Sequence, residues 1–274
     1  MSGDLAGRVC LVTGGSRGLG LEMALELAGR GAAVCVTGAA PSPALEAAGE
    51  ALRALGARAM AEPCDVADFA ACEALAARVE AELGPVEVLV NNAGIGMRAI
   101  SETFNTVPTK FWEADPQAWG RIVQANLTGA FNMARAVVPG MVARGSGKVI
   151  NVSTSDQTMV RRGYSPYGPS KAGLEAASRV WAQDLEGTGV SVNVYLPGGA
   201  ADTDLLPPSA DKKGADGNLL PAAIMRRGIG WLAGPGSDGV TGKRFIARLW
   251  DQRLDPAEAA AAAASPAVEK PAIM

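Results

Sequence analysis

The chain has 274 residues, 48% of them hydrophobic and 19% charged, so it can bury a sizeable core, and its net charge of −3 offers no basic field to nucleic acid. It contains no histidine, which removes Ser-His-Asp and Cys-His catalysis and every histidine metal site, and no bound metal is expected. No run of about 18 apolar residues would span a membrane, and Met1-Ser2-Gly3-Asp4 does not open a secretory signal, so a cytoplasmic protein is expected.

Residues 8–13 form a short apolar run ending in glycines and predict a buried strand. Residues 18–30 show helical spacing through Leu21, Ala24, Leu25 and Ala28. A strand over 33–37, a helix over 43–55, a strand over 57–63, a helix over 68–83 and a strand over 86–90 follow. The alternation continues with a helix over 116–144, a strand over 148–152, a helix over about 166–186 and a strand over 190–196. Strands alternating with helices in this way predict right-handed βαβ units and a parallel sheet covered on both faces. No linker interrupts the pattern, so residues 1–255 are read as one domain. Cys10, Cys35 and Cys64 fall in or beside strands; with Cys72 they form no CxxC and are expected to be buried, reduced thiols.

Two segments fall outside the alternation. Residues 96–115 form an insertion carrying Phe104, Phe111 and Trp112, and residues 202–218 carry Pro207-Pro208 and Lys212-Lys213-Gly214 with little periodicity. Loops of this length are usually functional or disordered, and the second is expected to close over a substrate. Residues 256–274 are an Ala/Pro-rich tail, expected to be a frayed helix with a disordered end, or else an arm to a neighbouring subunit.

The first strand and helix are joined by Thr13-Gly14-Gly15-Ser16-Arg17-Gly18-Leu19-Gly20. Glycines there let the backbone turn tightly and approach a pyrophosphate at the helix N-terminus, where free N–H groups and the dipole favour an anion. No Lys-Ser/Thr follows the last glycine, so this is not a P-loop. At the end of the fourth strand, Asn91-Asn92-Ala93-Gly94 offers small residues against which a ribose or ring can lie. Asp65, after the third strand, could accept from an adenine amino group.

Tyr167-Gly168-Pro169-Ser170-Lys171 lies near the start of a predicted helix, where positions i and i+4 share a face. An ammonium about 4 Å from the phenol, at an effective dielectric near 20, favours the phenolate by up to ~4 kcal/mol, roughly three pK units. Tyr167 is therefore a candidate general acid/base. Ser153-Thr154-Ser155, upstream, offers hydroxyls to a substrate oxygen.

Thr13 to Gly20 resembles the TGxxxGxG motif of the short-chain dehydrogenase/reductase family. Asp65-Val66, Asn91 to Gly94, Asn126 within Gln124-Ala125-Asn126-Leu127, Ile150 to Ser153, Tyr167 to Lys171 and Pro197-Gly198 resemble further motifs of that family, in its order. The resemblance covers about residues 5–250. It implies a seven-stranded Rossmann sheet with one site at the strands' C-terminal edge. It implies that Tyr167 is the acid/base and that Lys171 lowers its pKa and bonds the nicotinamide ribose. Asn126 would hold a water between Lys171 and solvent, and Pro197 and Gly198 would flank the nicotinamide. Thr154 stands where the family usually has the catalytic serine, with Ser155 as the rival if the strand end shifts by one residue. Thr203 would reach the cofactor carboxamide, although its PGxxxT pattern carries one extra residue. The family also implies a homo-oligomer, a tetramer or dimer.

An acid about 20 residues past the glycines marks an NAD site, but the second strand ends Val36-Thr37-Gly38-Ala39-Ala40. A 2′-phosphate would not be repelled at Gly38, and the resemblance implies that Arg17 stands where members of the family often place a cation for that phosphate. NADP is therefore the expected cofactor, with NAD as the alternative. The expected reaction interconverts a carbonyl and a secondary alcohol. The rivals are an NAD-dependent alcohol dehydrogenase, a non-catalytic NADP-binding sensor or scaffold, and a dehydratase or epimerase on the same fold. Phe104, Phe111, Trp112, Tyr164 and Met225 are candidates for an apolar substrate pocket, and Arg161-Arg162 for a carboxylate or phosphate.

Overall fold

β-Branched and apolar residues in short runs build the strands, and side-chain caps mark the starts of several of the helices that follow them. A computed structural model describes residues 3–209, 212–214 and 217–265. The first half runs β1 (Val9–Val12), α1 (Gly18–Gly29), β2 (Ala33–Gly38), α2 (Pro43–Ala54), β3 (Ala59–Pro63), α3 (Phe69–Glu82) and β4 (Val88–Asn91). Ser42 caps α2 by accepting from Leu45 N, and Asp68 caps α3 by accepting from Ala70 N and Ala71 N. The second half runs α4 (Pro116–Val123), α5 (Gly129–Arg144), β5 (Gly147–Val152), the short α6 (Asp156–Met159) and α7 (Tyr167–Asp184). It ends with β6 (Val190–Leu196), α8 (Arg226–Ala233), β7 (Arg244–Ile246) and α9 (Pro256–Ala263).

The strands form one parallel seven-stranded sheet in the order β3-β2-β1-β4-β5-β6-β7. The chain winds outward through β1, β2 and β3, then returns to the other side of β1 with β4. That reversal opens a crevice between the C-terminal ends of β1 and β4, where doubly wound sheets bind ligands. Side-chain alternation divides the interior into two cores. Cys10, Val12, Val34, Val36, Val90 and Ile150 face Met23, Leu27, Leu52, Ile229 and Trp250. Val9, Leu11, Cys35, Leu89 and Val149 face Leu75, Val79, Met133 and Met141. All four cysteines are free and buried. Among the described residues, no helix is long and apolar enough to cross a membrane.

The structure departs from the sequence expectations in three places. The helix expected over 116–144 contains a π-helical turn, Gln124–Thr128, between α4 and α5. The described part of the tail is packed: Ala259, Ala260 and Ala263 are buried, and Ala264 makes an antiparallel bridge to Phe245 on β7. Small side chains let α9 lie close to the sheet, which a frayed end would not do; residues 266–274 lie outside the described residues. Met225 is fully buried under α8, so it is a core residue and not a wall of the substrate pocket.

Tyr195 fastens this last region to the sheet. It is fully buried, its hydroxyl donates to Met225 O (3.3 Å), and Gly228 N donates to the hydroxyl (3.1 Å). Tyr195→Phe strands both backbone groups and should cost about 1–3 kcal/mol in chemical denaturation. An unchanged unfolding midpoint would contradict this role for the hydroxyl.

Candidate active site

The turn after β1 and the exit of β4 are sewn together by side chains. Thr13 Oγ1 accepts from Asn92 N and Ala93 N, each at 3.0 Å. Asn92 Nδ2 donates to Thr13 O (3.0 Å) and Gly14 O (2.9 Å). Gly14 (φ +62°) leaves no space for a side chain, because a Cβ there would stand 2.8 Å from Ala93 Cα. At Gly20 a Cβ would stand 2.3 Å from Gly14 O. No side chain caps the start of α1, so its first amides remain directed at the crevice. The glycine turn therefore fits the pyrophosphate of a dinucleotide.

One cleft of about 1700 Å³ runs along the C-terminal edge of the sheet. Gly14, Ser16, Arg17, Gly18 and Leu19 line one end, and Asn92, Ala93 and Gly94 the middle. Thr154, Tyr167 and Lys171 line it too, with Pro197, Gly198 and Thr203. Thr203 lies over the glycine turn: its methyl would be 3.2 Å from a Cβ on Gly18. Arg17 Nε pairs with Asp204 (3.3 Å), and Arg98 donates to Asp204 O (2.8 Å), so the segment after β6 crosses the mouth of the cleft.

Several expected cofactor residues lie outside the cleft wall. Gly38 is next to Ser16 at the end of β2, where a Cβ would be 3.8 Å from Ser16 Cβ. Asp65 is exposed and accepts from Ala67 N (3.0 Å), the work of a turn residue. Val66 is buried against Gly129, and its carbonyl accepts from Asn132 Nδ2 at 2.8 Å. Asn126 is buried in the π-helical turn. It accepts from Ile95 N (2.7 Å) and donates to Ile95 O (3.1 Å) and Ser170 Oγ (3.0 Å). Its amide thus holds the turn after β4 against α7.

The floor is made by the end of β5 and the first turns of α7. Ser155 Oγ caps α6, accepting from Thr158 N (3.2 Å) and sharing a hydrogen bond with Thr158 Oγ1 (2.8 Å). Ser153 is buried with its hydroxyl unpartnered. Of the three hydroxyls, it is that of Thr154 that stands beside Tyr167 and acts on its phenol. Burial pushes the Tyr167 phenol up to about 12, and the Thr154 hydroxyl opposes this only in part. The expectation that Lys171 lowers the phenol is not met here. Both share the predicted face, but Lys171 Nζ donates to Val152 O (2.8 Å), a carbonyl the sequence pattern does not reveal. Burial lowers Lys171 itself to about 8, with Glu175 pulling the other way.

The outer wall carries Phe104 and Tyr164, with ring centroids 5.5 Å apart, and Arg161 stacked over Tyr164 at 4.9 Å. Phe111 and Trp112 are 68% and 67% exposed and do not join it, because they pack on each other. Arg162 also stays outside the cleft wall.

The sequence matches a family model described as short chain dehydrogenase over residues 8–214. An acetoacetyl-CoA reductase from Rhizobium meliloti is 37% identical over 204 residues, covering 70% of this chain and 73% of that protein. A 3-oxoacyl-(acyl-carrier-protein) reductase from Escherichia coli is 31% identical over 247 residues, covering 88% and 95%. A structure from Sinorhizobium meliloti, described as a short-chain alcohol dehydrogenase, superposes with a TM-score of 0.77 at 28% identity, covering 89% of this chain and 96% of that one.

The buried lysine has a measurable cost in the free protein. Its native pKa, about 8, lies below its ordinary 10.5, so the unfolded chain binds more protons between these values. Stability therefore rises with pH across that window, and below about pH 8 the full penalty of ~3 kcal/mol stands. Lys171→Met removes the charge but leaves Val152 O unpaired, at about 1–3 kcal/mol. The variant should be more stable than wild type at pH 7, with the gap closing toward pH 10. A pH-independent loss of stability would show that the lysine is not strained by burial.

Proposed function

Since the chain belongs to the short-chain dehydrogenase/reductase family and is thus an oxidoreductase, we propose that it is an NADP(H)-dependent enzyme interconverting a carbonyl and a secondary alcohol. The observation that carries this reading is the neighbouring hydroxyls of Tyr167 and Thr154 in the cleft wall, with Lys171 one helical turn behind. A nicotinamide cofactor would be held by the glycine turn, Asn92 to Gly94, Lys171 and Pro197-Gly198, and supplies the hydride.

The protein's own part is position and protons. A phenol held at about 12 is protonated at neutral pH, the form needed to give a proton to a carbonyl oxygen as it gains charge. The Thr154 hydroxyl is the second donor to that oxygen. Lys171 is mostly an ammonium at pH 7, one helical turn from Tyr167, and would bond the nicotinamide ribose. Alcohol oxidation needs the phenolate first, so it should gain from rising pH while reduction does not. The names of the reductases among the relatives agree with reduction. Exposed Phe131 and Val142 on α5 and Val180 on α7 support a homo-oligomer.

Hydroxyl chemistry provides the first test. Tyr167→Phe should abolish turnover of a panel of ketones, quinones, sugars and acyl thioesters while NADPH binding persists. Thr154→Val should lower kcat/KM about a hundredfold, ~2.7 kcal/mol. Thr154→Ser should be tolerated, and Ser155→Ala should keep nearly full activity. Retention of more than about a tenth of wild-type kcat by Tyr167→Phe would assign the proton to another group.

The choice of NADP rests on Arg17 and on the missing acid at Gly38. Arg17 is 70% exposed and its pair with Asp204 is worth about 0–1 kcal/mol, so a phosphate can displace it. NADPH should bind at least tenfold more tightly than NADH, ~1.4 kcal/mol, and Arg17→Ala should erase most of that difference. Equal affinities in the wild type would favour the NAD-dependent reading.

A further inference from the structure

Arg244 opens β7, and its side chain reaches three separate parts of the molecule. Nε donates to Glu175 Oε1 (3.0 Å) and Oε2 (3.2 Å) on α7. Nη2 donates to the main-chain oxygen of Thr154 (2.9 Å). Nη1 donates to Ser265 Oγ (2.9 Å), beyond α9. The main chain adds a fourth tie, from Ser265 N to Arg244 O (2.7 Å), beside the Phe245–Ala264 bridge.

These contacts surround the floor of the cleft. Tyr167, Lys171 and Glu175 follow one another at intervals of four residues, so they lie along one side of α7. Arg244 fixes the last of the three and also fixes the carbonyl of the residue whose hydroxyl meets Tyr167. Arginine suits this work because its planar fork carries five donors, whereas a lysine ammonium could serve only some of these acceptors at once. Arg244 and Glu175 are each 22% exposed, so the pair is shielded more than the exposed ion pairs elsewhere on the surface.

We propose that Arg244 is a positioning residue for the reaction: it sets Thr154 against Tyr167 and makes Ala264–Ser265 part of the active-site frame. The inference rests on the proposed role of Thr154. Arg244 acts through the Thr154 main chain, so its effect should vanish when the Thr154 hydroxyl is already gone.

The test is a double-mutant cycle with a structural readout beside it. Arg244→Met should lower kcat at least thirtyfold, with the Kd for NADPH changed less than threefold. Arg244→Lys should recover part of the loss, and Ser265→Ala, which keeps the guanidinium, should lower kcat by a few-fold. Arg244→Met added to Thr154→Val should lower kcat by less than threefold further. Additive losses, or an Arg244→Met kcat within threefold of wild type, would overturn the proposal. Hydrogen exchange followed by mass spectrometry needs no turnover. In Arg244→Met, peptides covering 152–158 should exchange at least fivefold faster, with those from β1 and α3 unchanged. Unchanged exchange at 152–158, or uniform acceleration throughout, would overturn the positioning role. If wild type oxidises NADPH with no carbonyl, the functional reading fails, while the exchange result still decides the positioning role.

Discussion

In a parallel sheet every strand ends on the same edge, so the carbonyls there run out of ladder partners together. The site of this protein is built largely from the side chains that satisfy them. Asn92 serves Thr13 O and Gly14 O, Asn126 serves Ile95 O, Lys171 serves Val152 O and Arg244 serves Thr154 O. Each group thereby acquires a fixed place, and each place lies within or directly behind one cleft. A polar ladder behind them, Asn91 to Asn151 to Ser178, ties β4, β5 and α7 at one level. The ends of β4 and β5 and the front of α7 cannot move separately without stranding buried amides.

The sequence was legible where the physics is local. Alternating strands and helices, the glycine turn and the Tyr167–Lys171 spacing are short-range patterns, and the structure has them where the pattern puts them. Three other features depend on distant partners. β7 has three residues, too few for a period, and it exists because Val194, Tyr195 and Leu196 pair with it. The π-helical turn lies in an ordinary helical sequence and is accompanied by the buried bonds of Asn126 to Ile95 and Ser170. Arg244 is separated from Thr154 by 90 positions, and its sequence neighbours Lys243 and Phe245 give no sign of the connection. The tail misled for a related reason. Alanine-rich composition reads as featureless, but small side chains are what close packing on the Trp250 side of the sheet requires.

The resemblance to a family added roles that local pattern alone would not assign, and the structure shows where the residues named for them lie. It places Thr154, not Ser155, against Tyr167, because Ser155 is used at the start of α6. It sets Asp65 and Val66 to holding a turn and a helix, with no side chain in the cleft wall.

Tyr167 and Lys171 show how one physical cause produces two opposite shifts. In water the phenol and the ammonium titrate at neighbouring values; in the cleft floor the first rises to about 12 and the second falls to about 8. Desolvation disfavours charge on either group, so each moves toward its neutral form. A bare phenolate–ammonium pair is therefore not the state of the free protein at neutral pH, even though the two side chains share a helix face. Lys171 keeps its proton near neutrality with the Val152 carbonyl as its acceptor, and Tyr167 keeps its own with only the Thr154 hydroxyl opposing the shift. A substrate oxygen gaining negative charge beside Tyr167 would be the missing partner, since it accepts from both hydroxyls and leaves the new phenolate close to the lysine. In the proposed reaction the floor would thus stand in its proton-giving form before anything binds, burial reinforcing what an ordinary phenol already does at neutral pH, and the balancing charge would arrive with the reaction.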